Sequence, residues 1–151
     1  MINNKLNVKI TRLRKNAIIP VYQTEQSAGM DLHACIDEPK TLQPLERAVI
    51  PTGLSIELPA GYESQIRARS GMTLKHGITM ANGIGTIDAD YRGEYGVIVF
   101  NLSDAPFTIE PNTRIAQLVV SRYETVNWQE VQSLSDTTRG VGGYGSTGVQ
   151  A

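Results

Sequence analysis

A chain of 151 residues with 40% hydrophobic content fits one domain of ordinary size with a real core. Charged residues make up only 19% and the formal net charge is -1, which excludes a general electrostatic field for nucleic acid; an anionic ligand would need locally gathered positive charge. A single cysteine, Cys35, rules out an internal disulfide and a zinc framework and suits a reducing, cytoplasmic setting, and no apolar run approaches the roughly 20 residues a membrane-spanning helix needs.

In chain order, the first segment is basic (Lys5, Lys9, Arg12, Arg14, Lys15) and lacks the apolar stretch of a secretory signal. Its alternation of Leu6, Val8 and Ile10 with polar residues predicts an edge strand bearing solvated cations. Met30 to Ala34 alternates in the same way. Val97-Ile98-Val99-Phe100 and Leu118-Val119-Val120 are continuous apolar runs, expected of strands buried on both faces. Turn signals separate the runs at Pro51-Thr52-Gly53, Pro59-Ala60-Gly61, Asp104-Ala105-Pro106 and Glu110-Pro111-Asn112. The one helix candidate is short, Ser70 to His76. Many short strands predict an all-β sandwich, barrel or jelly roll. Residues 1–138 form that domain, and 139–151 a glycine-rich segment that is either a disordered tail or a lid ordered by ligand.

Four constellations could carry chemistry. In Ala68-Arg69-Ser70-Gly71, Arg69 and the amides opening the short helix could receive an anion; the plainer alternative is Ser70 as an N-cap and Arg69 as a surface residue. From Asn82 to Glu94, a glycine-rich hairpin holds Asp88, Asp90 and Glu94, three carboxylates within seven positions that could hold a divalent ion or orient water, beside Tyr91. Gln117 interrupts the apolar strand after Arg114-Ile115-Ala116, and a buried amide must find partners, most simply backbone. The segment from Arg139 to Gly148 holds five of the 14 glycines, with Tyr144, Ser146 and Thr147. It could form a phosphate nest with a stacking ring, but it lacks the ending and following helix of a P-loop.

In order, these segments resemble the five motifs of the homotrimeric dUTPases. Ser27-Ala28-Gly29-Met30-Asp31-Leu32 looks like the first and Arg69-Ser70-Gly71 the second. Asn82-Gly83 with Ile87-Asp88-Ala89-Asp90-Tyr91-Arg92-Gly93-Glu94 is similar to the third, Arg114-Ile115-Ala116-Gln117 to the fourth, and Arg139 to Gly148 to the fifth. Two positions depart from the pattern: Ala68 stands where proline is common, and Tyr144 where phenylalanine is usual.

The resemblance implies a jelly-roll-like β fold, a trimer with sites shared between subunits, and Mg²⁺-assisted hydrolysis of dUTP to dUMP and pyrophosphate. It further implies roles by position. Asp88 would hold the ribose 3′-hydroxyl and activate water, with Gln117 and Ser70 near the α-phosphate and that water. Tyr91 would pack under the deoxyribose and exclude a 2′-hydroxyl. Asn82, with Met80, Gly85, Thr86 and Ile87 around it, would read the uracil edge in a narrow hairpin. Arg69, Gly71 and Arg139 would bind the phosphate chain. Tyr144, between Gly143 and Gly145, would stack on uracil, and Ser146 and Thr147 would hold the γ-phosphate. Asp31 would lie near the metal's water shell, the ion itself being held mainly by substrate phosphates. No membrane or nucleic-acid partner is implied. Two alternatives stand beside this reading: a dCTP deaminase of the related fold, and a non-catalytic β-module with an interaction tail.

Overall fold

The computed structural model describes residues 5–145, and among these it is nearly all β, with eleven strands and one helix. Strand β1 (Lys9–Arg12) pairs only with β5 (Leu54–Glu57), so it is the edge strand its alternation predicts. Its cations are not all solvated: Arg12 donates to the Ala17 carbonyl at 3.0 Å, and nearby Arg14 reaches Glu94. Strand β3 (Lys40–Leu42) pairs with β10 (Phe107–Ile109). A three-stranded sheet runs β4 (Arg47–Pro51), β9 (Gly96–Asn101), β7 (Ile78–Met80). A four-stranded sheet runs β2 (Met30–His33), β11 (Arg114–Arg122), β6 (Tyr62–Arg67), β8 (Ile84–Ile87). Every pairing is antiparallel, and the core lies between the sheets around Leu32, Leu54, Ile66, Tyr95, Val97 and Leu118. This is the jelly-roll-like all-β class expected from the alternation.

Three local expectations change. Residues 82–94 do not form a hairpin: β7 pairs with β9 and β8 with β6, so the turn at Asn82-Gly83 hands the chain from one sheet to the other. The run Val97 to Phe100 is buried on one face only; Val97 and Val99 enter the core while Ile98 and Phe100 stay half-buried. Leu118 likewise is buried, but Val119 and Val120 are half-buried. Helix α1 spans Ser70–His76 as predicted, yet its N-cap is Arg69, in extended backbone at φ -87° and ψ 125°, with no side-chain cap.

The turn after β4 ties the fold to the segment from Arg92 to Tyr95. Gly53 sits at φ +70°, and its carbonyl accepts from Leu13 N–H at 2.7 Å. A Cβ there would stand 2.7 Å from both the Ala17 Cβ and the Cys35 Sγ. Left-handed backbone and a packed wall therefore both demand glycine. Gly53→Ala should destabilise the protein by about 2–4 kcal/mol, read as a shift of the urea midpoint. A change below about 0.5 kcal/mol, the range of neutral surface substitutions, would contradict this account.

Candidate active site

Strand β8 is an edge, so the backbone groups on its side away from β6 have no strand partner among the described residues. Beside it opens a recess of about 230 Å³. It is lined by Met80, Asn82, Gly85, Thr86, Ile87, Asp88 and Tyr91, all expected there, by Glu94, expected as a candidate carboxylate, and by Ile66, Tyr95, Gly96 and Ile98, which were not expected. A free strand edge suits the donors and acceptors of a pyrimidine edge.

Tyr91 is held at the mouth. Its hydroxyl donates to the Glu94 carbonyl at 3.2 Å, and its N–H to the Asp88 carbonyl at 3.2 Å. The ring lies so close over Gly93 that any Cβ there would collide with it. Asp88 is exposed, and among the described residues its carboxylate has no hydrogen-bonded side-chain or backbone partner, so it is open to a water or a hydroxyl.

The three-carboxylate reading fails on geometry. Glu94 accepts from Gly53 N–H at 2.8 Å and pairs with Arg14 Nε at 3.3 Å, which makes it a structural tie. Among the described residues no three His, Cys, Asp or Glu side chains gather closely enough to cage a metal ion.

A second cluster lies on the other flank of the four-stranded sheet. Asp31 is 3% exposed and pairs with Arg69 Nε at 3.1 Å and Arg114 Nη1 at 3.3 Å. Gln117 Nε2 donates to it at 3.5 Å, so that amide's partner is a carboxylate and not the backbone. A register shift between Arg114 and Ala116 explains the convergence. Without a bulge, residues 114 and 117 would face opposite sides of β11; the extra residue, with Ile115 and Ala116 both buried, turns both toward Asp31. Two guanidiniums around one carboxylate leave one net positive charge, the local cation that the near-neutral chain requires. Asp31 is thus neutralised by two arginines of its own chain.

His33, opposite Arg114 in the register, has a buried Nδ1 with no partner among the described residues. Burial lowers its pKa below the ordinary 6.5; Asp31 opposes that effect, and Arg114 and Arg69 reinforce it.

The tail residues stand apart from both clusters. Arg139 Nε donates to the Gly142 carbonyl at 2.8 Å, within its own segment. Gly143 has open space around it, and Tyr144 is fully exposed. Ser146 and Thr147 lie outside the described residues. Nor do Arg69, Ser70, Gly71 or Gln117 line the recess. One chain therefore presents the expected residues in three separate groups.

The family model for dUTPase matches residues 15–148. The chain belongs to the dUTPase family. Its activity is the hydrolysis of dUTP, which sets aside the deaminase and non-catalytic alternatives. Among solved structures it is similar to a variant of the Staphylococcus bacteriophage 80alpha dUTPase with dUpNHpp, at 29% identity and TM-score 0.87, covering 95% of this chain and 99% of that one. A second 80alpha variant matches at 28% identity and TM-score 0.85, covering 97% and 99%. The dUTPase of phage phi11 of S. aureus, described with a structural Mg(II) ion, shares the fold at 24% identity and TM-score 0.78, covering 86% and 99%.

Two outcomes follow from the Asp31 cluster. Asp31→Asn keeps the shape but strands two guanidiniums, and should cost about 2–4 kcal/mol in denaturant unfolding; a loss below about 0.5 kcal/mol would sink the cluster's structural role. His33, with its folded pKa below the unfolded 6.5, takes up its proton less readily when folded. Stability should hold above pH 6.5 and fall as pH drops below it through the folded pKa. Melting curves of wild type and His33→Gln should converge on acidification; a parallel acid loss in both would assign it elsewhere.

Proposed function

We propose that the nucleotide spans two or more copies of the chain in a homotrimer. The observation that carries this reading is the separation, within one chain, of the recess, the Arg69–Gln117 cluster and Tyr144. The half-buried outer residues Ile98 and Phe100, with 64%-exposed Val49 opposite Ile98 in the register, offer an apolar face for such packing. Uracil and deoxyribose occupy the recess of one copy. Asn82 and the free edge of β8 at Gly85, Thr86 and Ile87 read the base over Met80. Tyr91 packs under the sugar where a 2′-hydroxyl would project.

The triphosphate extends to Arg69, Ser70, Gly71 and Gln117. Asp88 holds the 3′-hydroxyl, orients a water and takes its proton as the oxygen attacks the α-phosphorus. The bond from that phosphorus to the bridging oxygen breaks, releasing pyrophosphate and leaving dUMP. Arg69 and Arg139 offset the charge that develops on the phosphate oxygens. Residues 139–151 act as a lid: Tyr144 stacks on the base, and Ser146 and Thr147 bind the γ-phosphate. Mg²⁺ fits described residues that hold no carboxylate cage, because this ion keeps its waters and binds through substrate phosphates. When bound it adds positive charge on the triphosphate. The reaction clears dUTP and supplies dUMP, and we place it in the cytoplasm, in keeping with the free, buried Cys35.

Asp88→Asn should lower turnover by about two to four orders of magnitude, the range for a lost general base. Truncation before Arg139 should leave the melting temperature nearly unchanged and remove most activity. Mixing these two inactive chains tests the shared site directly. Co-refolded, they should recover part of wild-type turnover, measured as pyrophosphate release, because some sites then combine an intact Asp88 with an intact tail. No recovery in a mixture that forms trimers would show that both come from one chain.

A further inference from the structure

Tyr91 is 46% exposed, so its ring is supported from one side only. That support consists of Gly93, the Glu94 carbonyl and a second ring, Tyr95, whose centroid lies 6.2 Å away at an interplanar angle of 38°. Such spacing falls within the about 4.5–7 Å range of favourable aromatic pairs. Tyr95 itself has no exposed surface and forms part of the floor of the recess.

Tyr95 is fixed through both its backbone and its side chain. Tyr95 N–H donates to the Leu54 carbonyl at 2.8 Å, and its carbonyl accepts from Thr52 N–H at 3.1 Å and the Thr52 hydroxyl at 2.6 Å. Its phenol bonds to the Ser64 hydroxyl at 3.0 Å, and Ser64 is itself fully buried on β6, opposite Ile87. Burial pushes the phenol's pKa up, against a smaller lowering by the Ser64 bond, so the hydroxyl stays protonated.

We infer that Tyr95 is a positioning residue for sugar selection: pinned to Ser64, its ring sets the height of the Tyr91 ring and so the room left for a 2′-hydroxyl. This rests on the proposed role of Tyr91 against the sugar. Without the Tyr95 ring, Tyr91 has space to sink toward the floor. The vacated volume admits the ribose, and displacements of about an ångström at a reacting site are worth up to about a hundredfold in rate.

The test is the ratio of kcat/KM for dUTP to kcat/KM for UTP. In Tyr95→Leu the ratio should fall about tenfold, mainly through better use of UTP, in protein that still assembles and melts cooperatively. If Tyr95→Leu does not fold, the double variant Tyr95→Phe with Ser64→Ala removes both hydroxyls, leaves no buried orphan and unpins the ring. There the ratio should fall about threefold. Tyr91→Ala separates this inference from the reading beneath it. If Tyr91→Ala collapses the ratio while the folded Tyr95 variant keeps it, the role of Tyr95 is overturned and that of Tyr91 stands. If Tyr91→Ala leaves the ratio unchanged, both are overturned.

Discussion

A carboxylate almost entirely removed from water is the constraint around which one half of the site is organised. At 3% exposure, Asp31 needs partners in place of water, and it draws them from β11 and from the residue that opens α1. On the proposed reading, the same ion pairs prepare a phosphate site. Arg69 spends Nε on Asp31 and one N–H of Nη1 on the Arg114 carbonyl, so three of its five N–H donors remain unspent in this cluster. The guanidinium is held rigid by a buried partner before any substrate arrives. Positioning of that kind lowers the entropic cost of binding, which an arginine loose on the surface would incur in full.

The recess is held by a different device. Between β8 and β9 the chain has no regular structure, yet this segment carries Asp88 and Tyr91. It is fixed from the turn after β4, through Gly53 to the Glu94 carboxylate, Ser55 to the Arg92 carbonyl at 2.8 Å, and Thr52 and Leu54 to the Tyr95 backbone. An irregular segment bonded to a core turn at Arg92, Glu94 and Tyr95 keeps the directional freedom of a loop while its C-terminal end is fixed. Asp88 stays exposed on it, its carbonyl accepting from Tyr91 N–H at 3.2 Å.

What the chain disclosed before folding was whatever depends on neighbours in sequence. Period-two alternation marked β1 and β2, turn chemistry marked the ends of β4, β5, β9 and β10, and α1 spans the predicted residues. Seven recess residues were legible because they lie in or beside one motif, between positions 80 and 91. Long-range partners were not. Glu94 read as a metal ligand because Arg14, 80 positions away, gives no local sign of pairing with it. The partner of Gln117 lies 86 positions away, and the bulge at Ile115 that turns it there leaves no mark beyond two adjacent apolar residues. Ile98 read as part of a buried strand, and Ile66 and Tyr95 carried no sign of a site, since a pocket lining and a core have the same composition.

The run Val97 to Phe100 joins these two levels. Its composition called for burial on both faces, while the single chain covers only the face of Val97 and Val99. Sequence pattern reports the environment a strand finally occupies, and folding of one chain accounts for half of it here. Ile98 lies on the incompletely covered face and also lines the recess, beside Gly96. Packing of a second copy against that face, as proposed, would finish burying the strand and close the recess in the same step. Core formation and site assembly would then be a single event. On that proposal the coupling would give a physical reason for so small a chain to keep the Arg69–Gln117 cluster and Tyr144 away from its own recess: the groups would meet only when the apolar faces do.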